Sequence, residues 1–222
     1  MVNLKDLEFA LKRPGLSLRR IGKFREIMAD ELVLREVFLE QPYNWLVKGL
    51  RENTTAIDIG AYKGESSIYL AMQPKIRRVI AYEPMRNAFE EAKEHIENSP
   101  YKNKIRIYNK AVLNRVRISH TKKGGGTPFS SASKAGADSV TVEDATRGLR
   151  NVIIKCDCEG DERLVFGKGS APLDNVYRVQ LEYHDTRAAV ASALRSKGFG
   201  VRIMDAHKGA YYKDIGYICA SR

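Results

Sequence analysis

Three cysteines, one tryptophan and no long apolar run stand out by their scarcity in this 222-residue chain. Cys156, Cys158 and Cys219 form an odd set without spaced pairs, which argues against both a disulfide framework and a zinc knuckle and leaves reduced thiols. No apolar stretch approaches the length of a membrane-crossing helix, and the first twenty residues alternate apolar and basic positions without a secretory core. The expectation is an intracellular, cytoplasmic protein. No internal repeat is visible. Acid is in deficit: Asp plus Glu number 27 against 38 Lys plus Arg, a formal charge of +11. Such a field favours anionic partners, among them nucleic acid, anionic glycans and phosphorylated metabolites, but it also serves plain solubility.

What the chain does have is concentrated between Thr54 and Pro84. Ala56, Ile57 and Ile59 form a short apolar run broken by Gly60, the pattern of a buried strand entering a tight turn. Helical spacing follows through Ile68, Ala71 and Met72. A second apolar run, Val79 to Tyr82, ends in Glu83, 25 positions after Asp58. That span suits one βαβ unit with an acid at the tip of its second strand, where ribose hydroxyls can be held. The dinucleotide fingerprint GxGxxG is missing, and Asp58 stands two places before the first glycine. An acid there repels a pyrophosphate and attracts a ligand carrying an ammonium group and a sulfonium.

The run DIGAYKGESS from Asp58, followed by AYEP ending at Pro84, resembles the first two motifs of class I S-adenosylmethionine-dependent methyltransferases, and within them the FkbM family. A second run, IIKCDCEGDE from Ile153 to Glu162, resembles that family's pattern apolar-Lys-x-Asp-x-Glu-Gly-x-Glu. The resemblance covers roughly Thr54 to His184. It implies S-adenosylmethionine as cofactor and a Rossmann-like α/β fold with a seven-stranded, mostly parallel sheet whose final strand is antiparallel. It also implies donor contacts at Asp58, Gly60, Ala61 and Gly64, at Glu83 and Pro84 for the ribose, at Lys110 and Ala111 in the stretch flanking the adenine, and at Asp157. O-methylation of a small hydroxylated or sugar-containing acceptor is the associated activity.

The remaining chain keeps the alternation of α and β elements that makes such a sheet. Residues 1 to 50 read as a helical cap, with Leu4, Leu7 and Leu11 on one face and Phe24, Ile27, Met28 and Leu32 on another, ahead of a methyltransferase domain from 51 to 222. Its basic residues Lys12, Arg13, Arg19, Arg20, Lys23 and Arg25 form either a substrate-facing patch or a solvated face. Strands are expected at 104–112, 151–158, 177–183, 201–204 and 215–220, and helices at 87–98, 141–149 and 186–197. Between Arg115 and Asp138 the composition turns glycine- and serine-rich, either a mobile flap or a plain excursion.

Acids recur at the expected strand tips: Asp58, Glu83, Asp157 with Glu159, and Glu182 with His184. Methyl transfer to oxygen requires alignment of donor and nucleophile and removal of one proton. His184 is the candidate base, with Glu182 or Asp157 to orient it, against the alternative of a histidine that merely hydrogen-bonds at a strand end. The same acids and imidazole suit Mg or Mn. The resemblance implies no metal, so none is expected, and activity is expected to survive EDTA. Two other readings stay open: an RNA or DNA methyltransferase using the basic N-terminal surface, and a cofactor-binding module that regulates a partner without turnover.

Overall fold

The computed structural model describes residues 36–114, 138–167, 173–208 and 212–222. The residues assigned above to the flap, apart from Asp138, and to the first 35 positions of the cap lie outside that set, including the six basic residues named there.

The first strand, β1 (Thr54–Ile59), is buried at all six positions, as β-branched and small residues at every position but Asp58 suit a strand covered on both faces. It is followed by α1 (Glu65–Ala71), β2 (Ile76–Tyr82), α2 (Arg86–Asn98) and β3 (Ile105–Tyr108). Amphipathic α2 buries Ala88, Ala92, His95 and Ile96. After β4 (Lys110–Leu113) and β5 (Asp138–Thr141) comes α3 (Val142–Thr146), which Thr141 caps by accepting the Asp144 N–H. The chain then forms β6 (Val152–Cys156), α4 (Glu162–Phe166), β7 (Val176–His184), α5 (Arg187–Ser196), β8 (Gly200–His207) and β9 (Ile215–Ser221).

Seven strands make one sheet in the order β3-β2-β1-β6-β7-β9-β8, parallel except that β9 runs against both neighbours. The order reverses beside β1, so β1 and β6 diverge into helices on opposite sides and leave a crevice beyond their carboxyl ends. Two apolar clusters cover the two faces, one around Ile57, Ile154, Phe166 and Leu181 and the other around Leu46, Ile68, Leu70 and Ile153.

The stretch expected as one strand from 104 to 112 is two. Asn109 interrupts it, its Nδ2 donating to the carbonyls of Glu83 (2.9 Å) and Pro84 (3.0 Å). The chain turns out of the main sheet there, and β4 pairs in parallel with β5 as a separate two-stranded sheet. The described end of the cap is a π-helical turn, Glu36–Glu40, and one short helix, Asn44–Val47. It is fastened to the sheet by buried Gln180, whose Oε1 accepts the Leu46 N–H (3.1 Å) and whose Nε2 donates to the Pro42 carbonyl (2.5 Å).

Candidate active site

Beyond the carboxyl ends of β1, β2 and β6 lies a cavity of about 450 Å³, a volume suited to a nucleoside-sized ligand. Of the sequence-derived donor residues, Gly60, Ala61, Glu83, Pro84, Lys110, Ala111 and Asp157 line it; Asp58 and Gly64 do not.

Asp58 is fully buried within β1, under the cavity floor. Its cross-strand neighbour on β6 is Lys155, and the Lys155 Nζ sits 3.1 Å from Asp58 Oδ1 while donating to the Gly60 carbonyl at 2.6 Å. Ser66 and Ser67 hydroxyls donate to Asp58 Oδ2 at 2.7 and 2.6 Å. Burial alone would pull the Lys155 ammonium down, but Asp58, and behind it Asp157, hold it well above its ordinary range. The charge attributed to Asp58 in attracting a sulfonium is therefore spent on Lys155. What the aspartate does is fix the lysine, which in turn fixes the Gly60 carbonyl.

Gly60, which lines the cavity, also has a packing role. Its φ is +75°, and a Cβ built on it would lie 1.8 Å from the Asp157 carbonyl oxygen. The missing side chain admits the backbone that follows β6. Gly64, at φ +91° ahead of α1, is needed for that conformation and packs against Ala92.

Glu83 stands at the tip of β2 with 5% of its surface exposed. The Tyr62 N–H donates to its Oε2 (2.9 Å) and the Met85 N–H to its Oε1 (2.8 Å). Burial nevertheless raises its pKa, the two N–H groups pulling the other way. A carboxylate offers about four lone-pair sites, so two remain for another partner. Tyr62 and Met85, whose backbones pin this carboxylate, line the cavity with side chains 44% and 40% exposed, unusual for large apolar groups.

On the other side of Asp157, β7 brings Glu182 and His184 to the same rim. The ligand atoms of Asp157, Glu182 and His184 lie within 4.8 Å of one another. His184 is held from behind by Glu162: its Nδ1 is 3.2 Å from Glu162 Oε1, leaving Nε2 toward the cluster, 3.7 Å from the exposed Glu159. Glu162 is fully buried. It also accepts from the Cys158 and Gly160 N–H groups and from the Thr186 hydroxyl (2.9 Å). Burial opposes a charged imidazole, but the hydrogen bond and charge of Glu162, then Asp157 and Glu159, outweigh it and push His184 up to about 9. Burial, reinforced by Asp157, raises Glu182, and burial raises Asp157. The orienting carboxylate is thus Glu162, where the sequence put Glu182 or Asp157 forward. Glu162 and Lys155 were both legible as the last and third residues of the IIKCDCEGDE run. Glu36, Tyr43 and Tyr212 were not. Glu36 and Tyr43 line the cavity, and the Tyr212 ring lies 4.6 Å from that of His184. Cys156 belongs to the core cluster, and Cys158 packs against it while also lining the cavity.

No protein-family model matches the sequence, and a search of curated proteins finds no match. Solved structures do resemble it. TrmK from M. capricolum, in complex with the cofactor product S-adenosyl-homocysteine, superposes with a TM-score of 0.51 at 11% identity, over 80% of this chain and 66% of that one. A putative tRNA (m1A22) methyltransferase from Streptococcus pneumoniae gives 0.49 at 15% identity, over 88% and 72%. A precorrin-6y C5,15-methyltransferase from Geobacter metallireducens gives 0.48 at 12%, over 89% and 93%. The chain thus spans just under two thirds of the TrmK length, and at such identity the likeness speaks to architecture alone. That architecture, read from the strand order and supported by the TrmK superposition, is the Rossmann-like α/β fold of class I methyltransferases, with a mostly parallel seven-stranded sheet.

Proposed function

We propose that the protein is an S-adenosylmethionine-dependent methyltransferase of FkbM type that methylates oxygen on a small hydroxylated acceptor. The observation that carries this reading is a cavity whose lining holds both the backbone-pinned Glu83 carboxylate and Asp157, with His184 and Glu182 clustered against Asp157 but not themselves on the lining. In this reading Glu83 holds the ribose hydroxyls with its two remaining lone-pair sites. Tyr62, Pro84 and Met85 cover one side of the nucleoside, and Lys110 and Ala111 the other. The fit rests on the cavity volume and on the Glu83 carboxylate, whose two backbone bonds leave lone-pair sites open at the cavity lining. When bound, the cofactor supplies an activated methyl group on a sulfonium.

The chain's own residues then handle alignment and one proton. Glu36, Tyr43 and Glu159 border the acceptor side of the cavity. Glu162 keeps the Nδ1 of His184 engaged, so Nε2 in the neutral ring takes the acceptor's hydroxyl proton. Positioning carries most of the rate, as in any in-line displacement on an activated donor.

A nucleic-acid acceptor is favoured by the +11 charge and by the TrmK likeness in fold. The described cavity lining points the other way, since the acids Glu36, Asp157 and Glu159 stand on it and Lys155 is committed to Asp58. Incubation with methyl-labelled donor and fractionated cell extract tests the proposal. Label in small hydroxylated metabolites is the expected result. Label in RNA, lost as salt is raised, would move the assignment to the second reading. Tight donor binding with no transfer to any fraction would leave a regulatory module, and no donor binding at all would overturn the proposal.

A further inference from the structure

We propose that Asp157, Glu182 and His184 form a binding site for a divalent transition-metal cation of the Mn²⁺ type, whose occupancy takes His184 Nε2 out of the role of base that the proposed function gives it in the metal-free protein. The sequence offers these acids and the imidazole as suited to Mg or Mn, but its spacing contains no metal-ligand pair that would bring Glu182 within bonding reach of Asp157. The fold does, by pairing β6 with β7 and ending both at one rim. Two carboxylates and an imidazole then offer ligand atoms within 4.8 Å of one another. Bonds of about 2.2 Å place opposite ligands about 4.4 Å apart, so side-chain adjustment of a few tenths of an ångström closes the set.

Three further observations point to a cation. Asp157 Oδ1 is buried and has no hydrogen-bond partner among the described residues. No hydrogen bond from a described residue reaches the Glu182 carboxylate, although burial and Asp157 both act against its charge. His184 is already oriented as metal-bound histidines usually are: one ring nitrogen engages a buried carboxylate, and the other is turned toward the cluster. Imidazole with two carboxylates suits Mn²⁺ better than Mg²⁺, which demands oxygen ligands and near-ideal octahedral geometry. Glu159, 3.7 Å from His184 Nε2 and on the exposed side, is placed to act as a fourth ligand or to hold a bound water. Lys155, the nearest fixed positive charge, is committed to Asp58 and the Gly60 carbonyl and does not fill the gap between the two acids.

The test needs neither donor nor acceptor, so its outcome is separate from that of the methyltransferase assignment. The full chain, stripped with EDTA and dialysed, is titrated with Mn²⁺ alone and followed by electron paramagnetic resonance and calorimetry. One equivalent is expected to bind, with nitrogen modulation from an imidazole in the electron spin echo. Glu182→Gln should abolish binding over the titrated range, and His184→Gln should remove the nitrogen modulation. Glu162→Gln, which touches the cation only through His184, should weaken affinity by about 10- to 100-fold. Circular dichroism establishes that each variant is folded, and Glu83→Ala, on the far side of the cavity, serves as a variant with unchanged Mn²⁺ affinity. Absence of stoichiometric binding in the wild-type protein would overturn the proposal, as would binding that Glu182→Gln leaves unchanged or that shows no nitrogen modulation.

Discussion

Replacing Lys155 by methionine should show how much of the site's geometry rests on one buried ion pair. Met fills much the same volume, so the change removes the ammonium and little else. It deletes the 2.6 Å bond to the Gly60 carbonyl and leaves Asp58, which is fully buried, without its cation. Breaking one partner of such a pair typically costs about 3–5 kcal/mol. Ser66 and Ser67 still hold Asp58 Oδ2, so the expected loss is near the lower end, about 3 kcal/mol. With a urea m-value of about 2–3 kcal/mol/M, the unfolding midpoint should fall by about 1–1.5 M. Adding Asp58→Asn removes the stranded charge while keeping an oxygen for the serines, and should recover most of the loss. Because the Lys155 pKa is raised, the pair's contribution is complete below the unfolded lysine range of about 10.4 and disappears as pH rises through the higher folded value. The wild-type advantage over the single variant should therefore shrink only in strong alkali. A midpoint shift worth less than about 1 kcal/mol, or strictly additive effects in the double variant, would refute the reasoning.

Glu83→Ala should weaken S-adenosylmethionine binding by about 1–3 kcal/mol, the scale of lost charge-assisted hydrogen bonds, and calorimetry showing unchanged affinity would remove Glu83 from the ribose site. Gly60→Ala forces a methyl group onto the Asp157 carbonyl at a positive φ, so about 4 kcal/mol or more of stability should go, with a melting temperature lower by about 10 °C or more. In metal-free protein the His184 ring should titrate near 9 by NMR, so neutral imidazole and methyl transfer should increase toward that pH. Removing the Glu162 charge with Glu162→Gln should move the titration to lower pH. The sign for stability follows: charged His184 stabilises the fold fully below about 6.5, and that contribution is lost as pH rises through about 9.

Much of the scaffold was legible because the core strands are short apolar runs ending at acids, and strand alternation is a local property. Glu83 and His184 could be found the same way, each terminating a run. The split at Asn109 could not, since it depends on a side chain reaching carbonyls 25 and 26 residues earlier. Asp58 was placed in the right strand but given the wrong surroundings. Its register neighbour Lys155 lies 97 positions downstream, and only strand pairing reveals that the two charges meet. Glu162 went unrecognised as the partner of His184 for a similar reason: the tight turn at Glu159 and Gly160, both at positive φ, folds its side chain back under β7. The wall residues Glu36 and Tyr43 arrive from a segment whose own pattern announces only a helix.

Gln180 secures that segment through two side-chain bonds, while the strands keep their ladders to themselves. A chain joined in this manner can exchange the piece bearing Glu36 and Tyr43, and so the outline presented to an incoming molecule, with no strand having to find a new neighbour. Evolution can then graft new specificities along one seam and leave the sheet underneath unaltered.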